Sequence, residues 1–228
     1  MNDHKAEVIY ENTITAEFIK RNNRFTAEVL IDGRQETVHV KNTGRLSELL
    51  LQGAKVTLQK ADDPSRKTQY DLISVYHPEL EWVNIDSLVP NKLVKKLYIP
   101  KYDLVKAEYR YGNSRFDFYM EKAGEKYLTE VKGCTLSYDR SSRIGYFPDA
   151  PTERGIKHLK ELAQAAQKGF HAAIAFVIQM NGIDRVVPND QTHPEFGRAL
   201  ESAIKAGVNV KYYSCHVEAD RIRIKDMK

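Results

Sequence analysis

The sequence predicts an α/β protein in two parts. An N-terminal OB-like β-barrel covers residues 1–86, and a second domain covers residues 87–228, with elements in the order αβββαβ on a mixed sheet. Three observations carry this reading. Short β-branched or alternating segments separated by turn signals fill the chain up to about residue 88, a helix opens with a proline just beyond, and amphipathic helices then alternate with apolar strands.

In the first part, residues 13–19, 24–31, 35–40, 55–59 and 71–76 read as strands. Asp32-Gly33 is a hairpin signal, and Asn42-Thr43-Gly44 is a sharp turn. Residues 46–51 form one helical turn ending at Gly53. Five short strands in this length suit a small barrel, and the OB fold is a small barrel that binds single strands or oligosaccharides. Residues 18–25 interleave aromatic and basic side chains, a composition suited to stacking bases while holding phosphates. The binding role is expected of Lys20, Arg21 and Arg24, and a core role of Phe18 and Phe25. Trp82, the single tryptophan, lies near the domain boundary and is expected to anchor one domain to the other.

The second part opens with a helix over residues 87–98, with Pro90 in its first turn, Leu93, Val94 and Leu97 on one face, and Pro100 closing it. Three antiparallel strands follow, ending at Lys132. Residues 133–151 lack apolar periodicity and contain Arg140-Ser141-Ser142-Arg143, which reads as a long functional loop. Thr152 is placed to cap a helix running to Gln167, with Ile156, Leu159, Leu162, Ala163 and Ala166 buried and Arg154, Lys157, His158 and Glu161 on the opposite face. Residues 172–179 are nearly all apolar, as in a parallel strand covered on both sides. A helix over 194–206 and a strand over 208–217 complete the domain.

With 42% hydrophobic residues in 228, the chain can bury a core in either part. No basic and apolar leader pattern opens it, and the longest apolar run, residues 170–180, is too short to span a bilayer, so a cytoplasmic protein without membrane association is expected. Two distant cysteines, Cys134 and Cys215, argue against a disulfide framework. The net charge of +4 is modest, but residues 89–132 hold ten Lys or Arg against six acids, so the basic excess is concentrated there. Cations beside carboxylates are what a phosphodiester substrate requires.

The carboxylates are Glu108, Asp117 and Glu130. Gly112-Asn113 separates two alternating segments and suits a two-residue hairpin loop, which sets Glu108 opposite Asp117. An even loop at Ala123-Gly124 sets Asp117 opposite Glu130. Alternation then gives one charged face (Glu108, Arg110, Arg115, Asp117, Glu130, Lys132) and one apolar face (Tyr109, Phe116, Phe118, Thr129, Val131). Like charges across a sheet repel. A hard cation would relieve them, and Mg²⁺ or Mn²⁺ is expected because such ions take one or two carboxylates plus water or phosphate.

Asp117 followed by Glu130-Val131-Lys132 resembles the core of the PD-(D/E)XK nuclease superfamily. The stretches 39–45 (HVKNTGR), 114–118 (SRFDF), 130–132 (EVK) and 145–159 (GYFPDAPTERGIKHL) together resemble the sugar fermentation stimulation protein family, SfsA, over nearly the whole chain. The resemblance implies a DNA-binding protein with an OB-like domain joined to a nuclease-like one, with Asp117, Glu130 and Lys132 catalytic and Asp117 and Glu130 on the metal; the strand register adds Glu108 as a further metal ligand. Arg45, Arg110, Arg115, Arg143, Arg154, Lys157 and His158 join Lys20, Arg21 and Arg24 as candidate nucleic-acid contacts. His158 reads equally as a buried structural histidine. The expected partner is DNA, single- or double-stranded, with a homodimer expected if both strands are cut. A metal-dependent nuclease and a non-catalytic DNA-binding regulator of sugar metabolism are the two readings. The superfamily's additional helix carboxylate has no counterpart in residues 87–98.

Overall fold

A computed structural model describes residues 6–227. The first unit is built from β2 (Thr13–Arg21), β3 (Thr26–Ile31), β4 (Arg34–Val40), β5 (Lys55–Lys60) and β6 (Tyr70–His77), with β7 (Glu81–Asn84) continuing beside β6. Neighbours are antiparallel except β4 and β6, whose parallel pairing His39↔Asp71 and Val40↔Leu72 closes the five strands into a barrel. Closure leaves these strands without a free edge. Phe18, Val29, Val38, Val56, Leu58 and Leu72 are buried in the barrel core, as alternation requires. Phe18 is therefore a core residue as expected. Phe25 is not: it lies in the β2–β3 turn and is 56% exposed, because that turn carries it beyond the barrel wall.

At the closing seam Asp71 is buried and receives Lys41 Nζ at 2.7 Å, Arg66 at 2.7 Å and His39 Nδ1 at 3.0 Å. Burial pushes its carboxyl up, but the hydrogen bonds from Arg66 and Lys41 outweigh burial and hold it at about 2. The stability it contributes is complete above its ordinary value near 3.8 and is lost as pH falls towards 2. Asp71→Asn should lower stability by about 2 kcal/mol at pH 7 and by much less at pH 2, as read by denaturant melts.

The second sheet has seven strands. Its strands β8 (Leu104–Tyr111), β9 (Ser114–Lys122) and β10 (Glu125–Cys134) form an antiparallel meander. β10 pairs in parallel with β12 (His171–Ile178), and β12 pairs in parallel with β14 (Asn209–Val217). β15 (Arg221–Met227) and β1 (Glu7–Ile9) complete the mixed sheet in antiparallel fashion. Residues 7–9 thus lie in the second sheet, so the chain crosses between the units once more than a division at residue 86 provides for. A three-residue strand paired with one more than two hundred residues away leaves no local signal.

Helix α1 (Val89–Tyr98) packs Val89, Leu93, Val94 and Leu97 with Phe118, Met120 and Val131 on one face. On the other, α2 (Glu153–Gln167) and α3 (Pro194–Lys205) pack Leu159, Leu162, Phe196 and Leu200 with Leu128, Ile174 and Phe176. Thr152 caps α2 by accepting the Gly155 N–H at 3.0 Å. The loop expected over 133–151 contains a 3-10 turn at Arg140–Ser142 and the strand β11 (Ile144–Phe147), which pairs in parallel with β13 (Arg185–Pro188).

The two units share a joint. Gln179 Nε2 donates to Asn84 O, Asn84 Oδ1 and Asp86 O, and Val83 bridges to Met180. Asn42 Nδ2 donates to Ile85 O. Trp82 packs against the α1-side core from β7, at the boundary where an anchor was expected. Among the described residues no helix is long and apolar enough to cross a membrane.

Candidate active site and nucleic-acid surface

Both hairpins have the expected register. Tyr111 pairs with Ser114 around Gly112-Asn113, with Gly112 at φ 58°, and Lys122 pairs with Glu125 around Ala123-Gly124. The β9–β10 ladder stops at Phe118↔Thr129, one step before Asp117 and Glu130. There the Asp117 side chain replaces the ladder: Oδ2 accepts the Val131 N–H at 2.7 Å, and Oδ1 accepts Asn91 Nδ2 at 2.7 Å. Asn91, from the first turn of α1, has no sequence signal beyond being a polar residue on an otherwise apolar face.

The faces of β8 and β9 invert at this point. Val105, Phe118 and Met120 pack on the α1 side, whereas Tyr109, Tyr111 and Phe116 pack on the α2 side. The inversion coincides with a left-handed backbone at Glu108, φ 54°, which breaks simple alternation. In consequence Glu108, expected beside Asp117, is 56% exposed and pairs with Arg115 Nε at 2.8 Å. The expected row of three carboxylates is a pair, Asp117 and Glu130, and the single apolar face is divided between two cores.

Glu130 is buried. Its Oε1 accepts His158 Nδ1 and Lys132 Nζ, each at 2.5 Å, while its Oε2 is buried without a partner among the described residues. Burial pushes this carboxyl up, but the His158 hydrogen bond and the Lys132 charge outweigh it and hold the group below its usual range. Asp117 behaves in the opposite way. Burial and then the charge of Glu130 raise it to about 6. Two neighbouring carboxylates pushed apart in this manner are a recurrent mark of functional sites.

His158 lies on the buried stripe of α2, not on the opposite face, because it follows Gly155 by three residues and precedes Leu162 by four. Its ring packs 5.3 Å from that of Phe116, and Arg154 Nε approaches its Nε2 at 3.5 Å. It therefore braces Glu130 from behind and has no surface with which to meet a nucleic acid. Cys134 is also buried, and burial raises its thiol to about 12, which leaves it inert.

The expected cationic contacts fall into two groups. Arg21 is structural: its guanidinium donates to the carbonyls of Asn23, Arg24, Asn42, Gly44 and Arg45, fixing the 42–45 turn against the barrel. Arg21→Lys should lower stability by about 2 kcal/mol, since one ammonium cannot reach these carbonyls together, and thermal melting checks it. Lys20 pairs with Glu28, Arg143 with Asp184, and Lys157 Nζ with Asn113 O, which ties α2 to the β8–β9 turn. Arg24 and Arg45 are exposed and line a groove with Thr43, Gly44, Ala150 and Pro151 that runs from the barrel to the start of α2. Arg110 and Arg154 are exposed as well, and Arg110 lies directly opposite Arg115 on the hairpin. Phe25, one residue from Arg24, adds an exposed aromatic face.

Asp117 and Glu130 fit a hard divalent cation. They supply two carboxylates, one with an oxygen that has no partner among the described residues, and Mg²⁺ normally takes only one or two such ligands and fills the rest with water or phosphate. Among the described residues there is no group of three or more His, Cys, Asp or Glu side chains placed to hold a metal alone.

Comparison with known proteins matches residues 85–221 to the family model described as "Sugar fermentation stimulation protein RE domain" and residues 19–85 to "SfsA N-terminal OB domain". A sugar fermentation stimulation protein homolog of Ruminiclostridium cellulolyticum is 49% identical over 95% of this chain and 96% of its own. One from Clostridium tetani is 45% identical over 96% of each. Among solved structures, Pyrococcus furiosus SfsA in complex with Ca²⁺ superposes with a TM-score of 0.84 at 26% identity, covering 96% of both chains.

Proposed function

This chain belongs to the sugar fermentation stimulation protein family, and from that premise we propose that it is a DNA-binding protein that hydrolyses phosphodiester bonds with a divalent cation held by Asp117 and Glu130. The observation that carries the reading is the buried Oε2 of Glu130, without a partner among the described residues, beside a carboxylate raised by burial and by its neighbour and an ammonium two residues away. The Ca²⁺ named for the Pyrococcus furiosus relative supports it. When bound, the cation would polarise the scissile phosphate and lower the pKa of a water. Asp117 and Glu130 would ligate it. His158 holds Oε1 of Glu130, so that Oε2 is the oxygen left to bind. Lys132 supplies the positive charge that stabilises the extra negative charge developing on the phosphate oxygens. The exposed Arg24, Arg45 and Arg154 would hold the backbone on either side, and Phe25 would stack a base.

A second reading, binding without cleavage, is favoured by one observation: Glu108 is turned away, so only two carboxylates remain. One experiment separates them. Purified protein with labelled single- and double-stranded DNA, in Mg²⁺, Mn²⁺ or EDTA, is expected to cleave only with metal. Retention of DNA without cleavage in either metal would establish the second reading, and neither binding nor cleavage would remove both.

A further inference from the structure

The β8–β9 hairpin carries two like charges that the site described above does not use. Arg110, on the strand at the edge of the seven-stranded sheet, stands directly opposite Arg115 on β9, and both are exposed. Opposed residues of an antiparallel pair share one face with their Cβ atoms about 5 Å apart, and like charges so placed destabilise a sheet. Charge on an edge strand wards off pairing with another chain. A cation opposite an anion would do that equally well, without the repulsion.

Glu108 answers part of this charge, and the backbone is turned to let it do so. The register of β8 and β9 is the same on both sides of Glu108, Ala107↔Phe118 before it and Tyr109↔Phe116 after it, so Glu108 stands level with Asp117. Its φ of 54° takes it out of the ladder and re-aims its carboxylate, which accepts Arg115 Nε at 2.8 Å instead of joining Asp117 and Glu130. One carboxylate against two guanidinium groups leaves one positive charge over. Arg115 is 66% and Glu108 56% exposed, and an ion pair so open to water is weak enough for a competing anion to displace. Guanidinium groups meet phosphate oxygens with two N–H groups at once, which suits them to that anion. Arg115 is two residues from Asp117, about 7 Å along the strand, so a phosphate held there lies beside the candidate active site.

We propose, resting on the nucleic-acid reading above, that Arg110 and Arg115 form a clamp for a backbone phosphate neighbouring the scissile one, and that Glu108 is its internal counter-ion, which the phosphate displaces. Glu108 thus restrains binding of the strand and does not hold the cation. The clamp reads no base, since phosphate contacts position a nucleic acid without carrying sequence information. It makes the grip on DNA depend on salt, through the counterions that each neutralised phosphate releases.

The test measures binding of labelled single- and double-stranded DNA in EDTA over a range of salt, where cleavage plays no part; melting curves confirm folding. Arg110→Gln and Arg115→Gln should each weaken binding and flatten the plot of log affinity against log salt by about one unit of slope. Glu108→Gln should tighten binding by about two- to fivefold, the scale of an exposed ion pair, and leave Mn²⁺ binding, read by calorimetry without DNA, in place. Combined with Arg115→Gln it should have no effect on DNA, because it acts through that arginine. Glu125→Gln, on an exposed acid of the same sheet, controls for the loss of any negative charge. An equal gain from Glu108→Gln with and without Arg115, a gain matched by Glu125→Gln, loss of Mn²⁺ binding in Glu108→Gln, or unchanged binding by both arginine variants would overturn the clamp while the nucleic-acid reading stands. Absence of DNA binding by wild type would remove that reading and the clamp with it.

Discussion

Glu130→Gln is expected to abolish divalent-cation binding and reduce metal-dependent cleavage by more than about a hundredfold, since loss of a partner that merely orients a ligand already costs roughly 10–100-fold. The substitution keeps the shape of the side chain and removes its charge. His158 Nδ1 and Lys132 Nζ, both on Oε1, would then face a neutral amide, and Oε2 or its replacement nitrogen would no longer attract a cation. Calorimetric titration with Mn²⁺ isolates this effect from turnover, and circular dichroism confirms the fold. Full cleavage by a pure, folded Glu130→Gln protein would eliminate the assignment of the site.

Asp117→Asn is expected to act on function and stability in opposite directions. Burial and the neighbouring Glu130 charge raise the Asp117 carboxyl from 3.8 to about 6. Well below pH 3.8 the folded and unfolded chains are both protonated at this group, and nothing is lost. Between about 3.8 and 6 the unfolded chain ionises while the fold keeps its proton, and above 6 the fold carries the charge at a cost on the order of 1–3 kcal/mol. Asparagine removes that cost: its Oδ1 can still accept the Val131 N–H, and its amide can donate to a reoriented Asn91. The variant should therefore melt higher than wild type at pH 8, with the gap closing towards pH 4, while metal binding is lost. In wild type, cation affinity should weaken as pH falls through about 6, because the ligand must be deprotonated. A variant less stable than wild type at pH 8 would show that the Asp117 charge is satisfied within the fold.

Site residues that depend on neighbouring strands were legible, and those that depend on packing were not. The two-residue loops at Gly112-Asn113 and Ala123-Gly124 are recognisable locally, and together with alternation they bring Asp117 level with Glu130. Glu108 escapes that logic because a single left-handed residue on an edge strand reverses which side the chain presents, and glutamate gives no warning of it. His158 could have been placed by its spacing from Gly155 and Leu162, since three and four residues along a helix share a stripe. Phe25 looks like a core aromatic in sequence because its distance from the barrel wall is set by the turn, not by its own chemistry.

By itself the sequence determined the two-part α/β architecture, the barrel, the meander and the adjacency of Asp117, Glu130 and Lys132, since each follows from turn chemistry and side-chain period over fewer than about twenty residues. Only the tertiary structure decided that Asn91 and His158 hold the two carboxylates, that Arg21 is a brace and not a surface contact, and that residues 7–9 join the second sheet. These are contacts between segments tens to hundreds of residues apart. They arise when two cores pack against one seam, and no local pattern encodes which side chain will arrive there.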